Sequence, residues 1–279
     1  TMLLSDVDLK SYTDTAYHNE ELKSLTRYRF EKVQERAKLK QSVSRLVTIL
    51  FPELEQLVPT LHIASVYSLL GEYPGAKQVS EVHLTKLTNL LVTASKGRYG
   101  KDKAIQIRDA AKTSIGSVMP AKSLELKHTI KLIRELTSEI DEIEDSIQQI
   151  MDELHPPILS IPGVGIQSAA MILAEIGDFS NFESPDKILA YAGCSPSTYQ
   201  SGKLTNCYAH MEKRGSRYLR YALYNATKYV CHWNPVFAKY LAKKRAEGKH
   251  YNVALSHATK KLVRLIYALQ KSGKAYLTA

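Results

Sequence analysis

The stretch Leu159-Ser160-Ile161-Pro162-Gly163-Val164-Gly165, continuing into Ile166-Gln167-Ser168-Ala169-Ala170-Met171-Ile172-Leu173-Ala174-Glu175-Ile176-Gly177, decides the reading of the fold. It reads as a short helix end, a Gly-framed hairpin and a second helix rich in small residues. That is the sequence form of a helix-hairpin-helix, a device that grips nucleic-acid backbone. Gly163 and Gly165 allow positive φ and a close backbone approach. Amides of the turn and of the following helix start then point outward with aligned dipoles, and a phosphate suits that position. The plainer alternative is an αα-corner in which Pro and Gly only punctuate two packed helices.

Outward from the hairpin, nearly everything reads helical. A long helix is expected over 20–51, stopped by Pro52. A shorter helical region over 59–75 is broken by Gly71 and Pro74. Further helices are expected over 79–94 and 102–115, with a basic turn at Lys96-Gly97-Arg98-Tyr99-Gly100-Lys101 between them. Leu126, Ile133, Leu136, Ile140, Ile143, Ile147, Ile150 and Leu154 form a heptad seam ended by His155-Pro156-Pro157. Its partner is either the 20–51 helix, antiparallel, or another copy of the chain. Past Pro157, Gly, Pro and Ser become frequent and basic charge rises. The expected division is a remnant of an upstream domain at 1–17, a helical and coiled-coil region at 18–157, and a basic helical domain at 158–279.

Charge is distributed unevenly. The chain carries +10 overall, from 38 basic and 28 acidic residues. From Gly202 to Ala279 there are 16 Lys and Arg against Glu212 and Glu247, or +14. The other 201 residues hold 22 basic and 26 acidic residues, or −4. A polyanion is the expected partner of such a segment. No apolar run approaches bilayer length, so no membrane role is expected. The start, Thr1-Met2-Leu3-Leu4-Ser5-Asp6, lacks the features of a leader. Cys194, Cys207 and Cys231 form no CxxC pair and read as ordinary thiols, which places the chain in the cytoplasm.

The residues able to carry chemistry follow the hairpin. Ser201 precedes Gly202 in a loop crowded with hydroxyls, and Lys213-Arg214-Gly215-Ser216-Arg217-Tyr218-Leu219-Arg220 is a basic loop entering a helix. A phosphoryl group near Ser201 could be held by Lys203, Lys213, Arg214, Arg217 and Arg220 through charge-assisted hydrogen bonds. A serine needs a base, a metal or a stabilised leaving group to attack at neutral pH. His210 is the nearest candidate helper. On residue types alone, Ser201-Gly202 reads as a plain turn. Tyr218, Tyr221, Tyr224 and Tyr229 read as helix-packing aromatics with wet hydroxyls, the alternatives being a recombinase nucleophile or rings that stack on bases, and Trp233 reads as a loop anchor. On the last helix, Leu255, Leu262, Ile266 and Leu269 face a core, leaving His257, Lys260, Lys261 and Arg264 for phosphate.

Taken together, Ile161-Pro162-Gly163-Val164-Gly165, Ala192-Gly193 with Pro196, Gln200-Ser201-Gly202, and Lys213-Arg214-Gly215 with Leu219-Arg220 resemble the C-terminal domain of the IS-one-ten family of insertion-sequence transposases. The segment Leu22–Arg29 is similar to the one preceding that family's coiled coil. The resemblance implies a recombinase whose serine, at the position of Ser201, attacks DNA. The hairpin reading puts backbone binding at Pro162, Gly163, Val164 and Gly165, and the heptad seam suggests an oligomer formed through the coiled coil. The resemblance also implies a structured guide RNA that selects the site, and a nucleoid-associated location. In the family, a RuvC-like domain binds divalent metal such as magnesium through four acids. No acid here matches them: Asp6, Asp8 and Asp14 are unassigned, and Asp141, Glu142, Glu144 and Asp145 read as a solvated helix face. No metal ligand or cofactor is therefore assigned to this chain, which alone is expected to be inactive.

The expected fold is mainly α, with long helices and a coiled coil followed by a compact helical domain. The expected function is DNA transposition. The alternatives are a non-catalytic nucleic-acid-binding module and a coiled-coil assembly protein with a basic tail.

Overall fold

The structure, a computed structural model, describes residues 15–195, 200–201, 204–205 and 210–277. Lys203 and Cys207 lie outside the described residues, as do residues 1–14 of the expected N-terminal remnant. The protein is mainly α. Among the described residues there are twelve α-helices, from α1 (Thr15–Leu50) to α12 (Tyr251–Ser272), and one pair of two-residue strands. By internal contact the chain divides into two units, Phe30–Glu142 and the remainder, with the divisions falling inside α1 and α7 (Pro120–Leu154).

Within Phe30–Glu142 the core is aliphatic. Val43, Leu46, Val47 and Leu50 of α1 pack in it with Leu126, Ile130 and Ile133 of α7 and with Leu69, Leu70, Leu87 and Ile107 of the intervening helices. Lys32 pairs with Glu139 at 2.8 Å, Arg36 donates to the Thr137 hydroxyl at 3.2 Å, and Arg45 lies 3.7 Å from Glu125. Numbers rise on α1 as they fall on α7, so these two stretches run antiparallel. Of the two partners open to the seam, this pairing is the intramolecular one.

The intervening helices are α2 (Leu54–Leu57), α3 (Ala64–Glu72), α4 (Ala76–Glu81), α5 (Leu84–Ala94) and α6 (Lys101–Lys112). Several boundaries depart from expectation: α1 starts at Thr15 rather than 20, and α6 ends at Lys112 rather than 115. The helix expected over 79–94 is broken at Val82 and His83, both extended, because the His83 side chain accepts from the Thr85 amide and starts α5 there. Helix α3 begins only at Ala64, after Ile63 in an extended conformation.

The heptad seam holds over most of its length and drifts at its end. Leu126, Ile133, Ile140, Ile143 and Ile147 are buried, yet Leu154 is 45% exposed and Met151 is buried instead. A straight helix of 3.6 residues per turn rotates by about 20° per heptad against a 3.5 repeat. Four heptads of drift turn Leu154 outward and bring Met151 in.

The second unit contains the start of α1, the end of α7, α8 (Ile166–Ile176), α9 (Pro185–Tyr191), α10 (Arg217–Trp233), α11 (Pro235–Ala246) and α12. Helix α10 packs on α8, α11 and α12, and α12 on α9. Leu219, Ala222, Leu223, Ala226 and Val230 form the buried stripe of α10, with three- and four-residue spacing. Leu255, Leu262, Ile266 and Leu269 are buried on α12, as the sequence pattern requires.

The register argument has a direct check. Ile133→Ala should cost about 2–5 kcal/mol in urea unfolding, because it leaves a core cavity. Leu154→Ala should stay within about 0.5 kcal/mol, as expected of a surface position.

Candidate nucleic-acid interface

The hairpin is built from a four-residue 3-10 turn, Pro157–Ser160, and α8. Its first arm is thus one short turn. The Val164 amide donates to the Ile161 carbonyl at 3.0 Å and closes the bend around Pro162 and Gly163. The two glycines behave differently. Gly163 has φ +94°, and a Cβ there would lie 2.6 Å from the Tyr229 carbonyl oxygen. Its close approach is to the backbone of α10. Gly165 corrects the expectation of positive φ: at φ −84°, ψ 159° it is an ordinary extended residue at the start of α8, with open space around its α-carbon.

No side chain caps α8. Residues Gly163 to Ser168 line an open cavity of about 470 Å³, walled on the other side by Tyr229 and Trp233. These two aromatics are 60% and 64% exposed. Tyr229 is therefore not a packing residue, nor is Trp233 a loop anchor. The anchor is its neighbour Asn234, which is buried, donates to the Tyr276 hydroxyl at 3.0 Å and caps α11 by accepting from the Val236 amide.

The basic loop is braced before it enters α10. The Glu212 amide donates to the Ser195 carbonyl and the Lys213 amide to the Gly193 carbonyl, both at 3.1 Å. Gly193 (φ +64°) and Gly215 (φ +107°) let the two strands of the loop touch: a Cβ at either would collide with the Arg214 or Tyr191 carbonyl respectively. Arg220 spends one guanidinium nitrogen on the Ala192 carbonyl at 2.8 Å and the Lys213 carbonyl at 3.3 Å. Lys213, Arg214 and Arg217 are exposed. Arg217 donates to the Tyr218 hydroxyl at 2.8 Å and lies 4.8 Å from that ring's centre.

Ser201 lies on the first of the paired strands, Gln200–Ser201 and Leu204–Thr205, opposite Leu204 in antiparallel register. The segment carrying it starts and returns beside one cavity of about 450 Å³, lined by Cys194, His210, Met211, His257 and Lys260 among others. Burial and the neighbouring cations Lys244, Lys249 and Lys260 hold the His257 imidazole below its ordinary pKa. Of the other α12 cations, Arg264 pairs with Asp186 at 3.3 Å and Lys261 lies over the rings of Phe237 and Tyr240. Cys194 and Cys231 are buried free thiols, and burial pushes Cys231 up to about 11.

A buried carboxylate organises this region. The Glu175 side chain, in the otherwise apolar α8, has no exposure. It accepts from Arg27 Nε at 2.6 Å and Nη2 at 3.1 Å, and from the Ser216 hydroxyl at 2.5 Å. Ser216 also accepts from the Leu219 amide and so caps α10. Burial works to raise the Glu175 pKa, but the hydrogen bonds from Arg27 and Ser216 together outweigh it and leave the carboxyl below its ordinary value. Sequence reasoning missed this triad. Its signal was a single acid in the run Ala169–Ile176, all of it buried.

Residues 156–242, which contain the hairpin, Ser201 and the basic loop, match the Transposase IS116/IS110/IS902 family. Over 267 residues the chain is 24% identical to an IS110 insertion-element protein of Streptomyces coelicolor, covering 92% of the chain and 64% of the relative. It is 25% identical over 263 residues to an IS116 insertion-element protein of Streptomyces clavuligerus, covering 92% and 65%. It is 26% identical over 151 residues to a pilin gene-inverting protein of Moraxella bovis, covering 52% and 47%. The chain thus spans about 64% of the length of the IS110 relative.

Among the described residues no three or more His, Cys, Asp or Glu gather in a group able to hold a metal ion. The divalent metal implied by the resemblance is assigned to none of the described residues. No described helix is long and apolar enough to cross a membrane.

Two substitutions test the scaffold. Gly163→Ala should destabilise by about 1–3 kcal/mol, since it forces a side chain into a strained φ against the α10 backbone. Glu175→Gln should cost about 1–2 kcal/mol at neutral pH, a figure reduced for the partial exposure of Arg27. Because the folded pKa of Glu175 is depressed, its contribution is complete above the ordinary value of 4.5 and is lost as pH falls through the lower folded value. Acid titration of stability should therefore show a steeper limb below that value in the parent than in the glutamine variant.

Proposed function

We propose that this chain is part of a DNA transposase or recombinase, with residues 158–279 as its DNA-binding, serine-bearing domain. The observation that carries the reading is the family match over 156–242, because that one segment includes the hairpin, Ser201 and the braced basic loop. The name of the Moraxella relative, a gene-inverting protein, supports DNA rearrangement as the broader activity.

In this reading the phosphodiester backbone lies along the amides at the start of α8 and the exposed cations Lys213, Arg214 and Arg217. Pro162, Gly163, Val164 and Gly165 shape the bend. Tyr229 and Trp233 offer faces on which unpaired bases stack. Arg220 holds the loop from behind through backbone carbonyls, so its contribution is to position Lys213. Lys203, two residues after Ser201 in sequence, adds a further cation. Ser201 Oγ attacks the phosphorus, a serine–phosphate bond forms, the bond to the departing deoxyribose oxygen breaks, and that oxygen takes up a proton. The serine's own proton passes to a base, for which His210 and His257 are the candidates beside the segment. Reversal by a second DNA hydroxyl joins strands. Site choice by a guide RNA, assembly of several copies through the heptad helix and residence at the nucleoid complete the proposal.

Binding of duplex DNA by the chain should weaken linearly in log–log with salt, each neutralised phosphate adding about −0.9 to the slope. Replacing both Lys213 and Arg217 with Gln should reduce the slope by about 2. Ser201→Ala should leave binding unchanged and, in the polypeptide carrying this chain, abolish strand joining. Undetectable binding at low salt would refute the reading. Joining that survives Ser201→Ala would remove the serine from the mechanism.

A further inference from the structure

The unit Phe30–Glu142 holds a second basic concavity that the transposase reading does not use. It is a cavity of about 380 Å³ lined by Arg36 and Lys40 of α1, His62, Ala64, Tyr67 and Ser68 at the start of α3, and Ile133, Arg134 and Thr137 of α7. Three cations and a histidine converge on it, and its lining contains no acid.

The charge arrangement is selective. On the same two helices, Lys32 pairs with Glu139 and Arg45 with Glu125. Arg36, Lys40 and Arg134 have no ion pair among the described residues. Arg36 donates to the Thr137 hydroxyl and Arg134 to the Ser68 hydroxyl, both neutral groups that orient a guanidinium without cancelling its charge. Burial, with Arg36 nearby, makes the charged form of Lys40 less favourable than usual. Placing unpaired like charges around a partly buried hollow costs free energy in the empty protein. An anion entering the hollow removes that cost.

The neutral groups fit an oxyanion as well. His62 sits between two hydroxyls, Nδ1 at 3.0 Å from Tyr67 Oη and Nε2 at 3.4 Å from Ser44 Oγ. Burial and Lys40 depress its pKa despite the opposing field of Glu55, and burial pushes Tyr67 up to about 12, so the phenol stays protonated. Helix α3 starts at Ala64 in the cavity wall, and no side chain caps it. Guanidinium forks, an ammonium and a helix start are the set that recognises a tetrahedral phosphate.

We propose that the Arg36–Lys40–Arg134 cavity is a phosphate-binding site, taking the phosphodiester of a nucleic-acid strand. Its anion chemistry stands on these residues alone, while the nucleic-acid identity of the ligand rests on the function proposed above. The strand bound here would be additional to the DNA held by the basic loop.

The test is calorimetric titration of the whole chain with tripolyphosphate, then with a short single-stranded oligonucleotide. Arg36→Gln, Lys40→Gln and Arg134→Gln should each weaken tripolyphosphate binding by about tenfold. Arg45→Gln, which removes a paired cation, should leave it unchanged. The oligonucleotide should lose affinity in the same three variants and be displaced by tripolyphosphate. If the variants weaken tripolyphosphate alone, the site is a phosphate site whose ligand is a free phosphate compound, and the nucleic-acid part is wrong. If tripolyphosphate gives no heat with the folded parent chain, or binds the three variants as tightly as the parent, the proposal is overturned. Duplex binding that depends on Lys213 and Arg217 reports separately on the proposed function, so either idea can fail alone.

Discussion

The buried carboxylate of Glu175 is the constraint on which the C-terminal unit depends. An ionised carboxyl in an apolar helix is costly unless its oxygens are fully engaged. Arg27 meets both oxygens and Ser216 meets one of them. Three pieces of chain far apart in sequence are thereby fixed at one point: the early part of α1, the C-terminal end of α8 and the residue just before α10. Because Ser216 both donates to Glu175 and caps α10, the start of that helix is set by the same group. The basic loop has no freedom to slide, since its last residues are the cap.

From that point the rest of the site follows. Once α10 is placed, Gly163 must lie against the Tyr229 and Val230 backbone, where a side chain has no room. This brings the uncapped start of α8 beside Tyr229 and Trp233. On the other side, Gly193 and Gly215 bring the two arms of the loop into backbone contact, and Arg220 ties them together from within. The consequence is a division of labour among the cations. Arg27 and Arg220 engage other parts of the chain, while Lys213, Arg214 and Arg217 lie on the surface.

How much of this was legible in the sequence depends on what each feature rests upon. The heptad seam was legible because burial repeats along one helix face, but Leu136 and Ile150 are only partly buried and Leu154 is exposed, the last through geometric drift. The α12 core face was legible for the same reason. The break between α4 and α5 was not, because it turns on a single His83 cap that competes with helix continuation. Positive φ and a close backbone approach at Gly163 were both correctly read, but the identity of the neighbour was not: it comes from Tyr229, 66 residues later in the numbering. Gly165 has the same side chain and no such neighbour. The Glu175 triad spans 148 residues from Arg27, a separation that no local pattern reports. The family resemblance rested on motifs spread over the loop and hairpin, and it located the region that the fold then braces.

The central claim is that this braced loop and hairpin hold DNA for attack by Ser201. The most direct measurement is peptide mapping, by mass spectrometry, of the covalent adduct formed between the polypeptide carrying this chain and a DNA substrate that cannot complete strand joining. The account predicts a phosphorylated nucleoside attached at Ser201. Attachment at another residue, such as an exposed Tyr221 or Tyr229, would contradict it, as would strand joining that proceeds with no protein–DNA linkage at all.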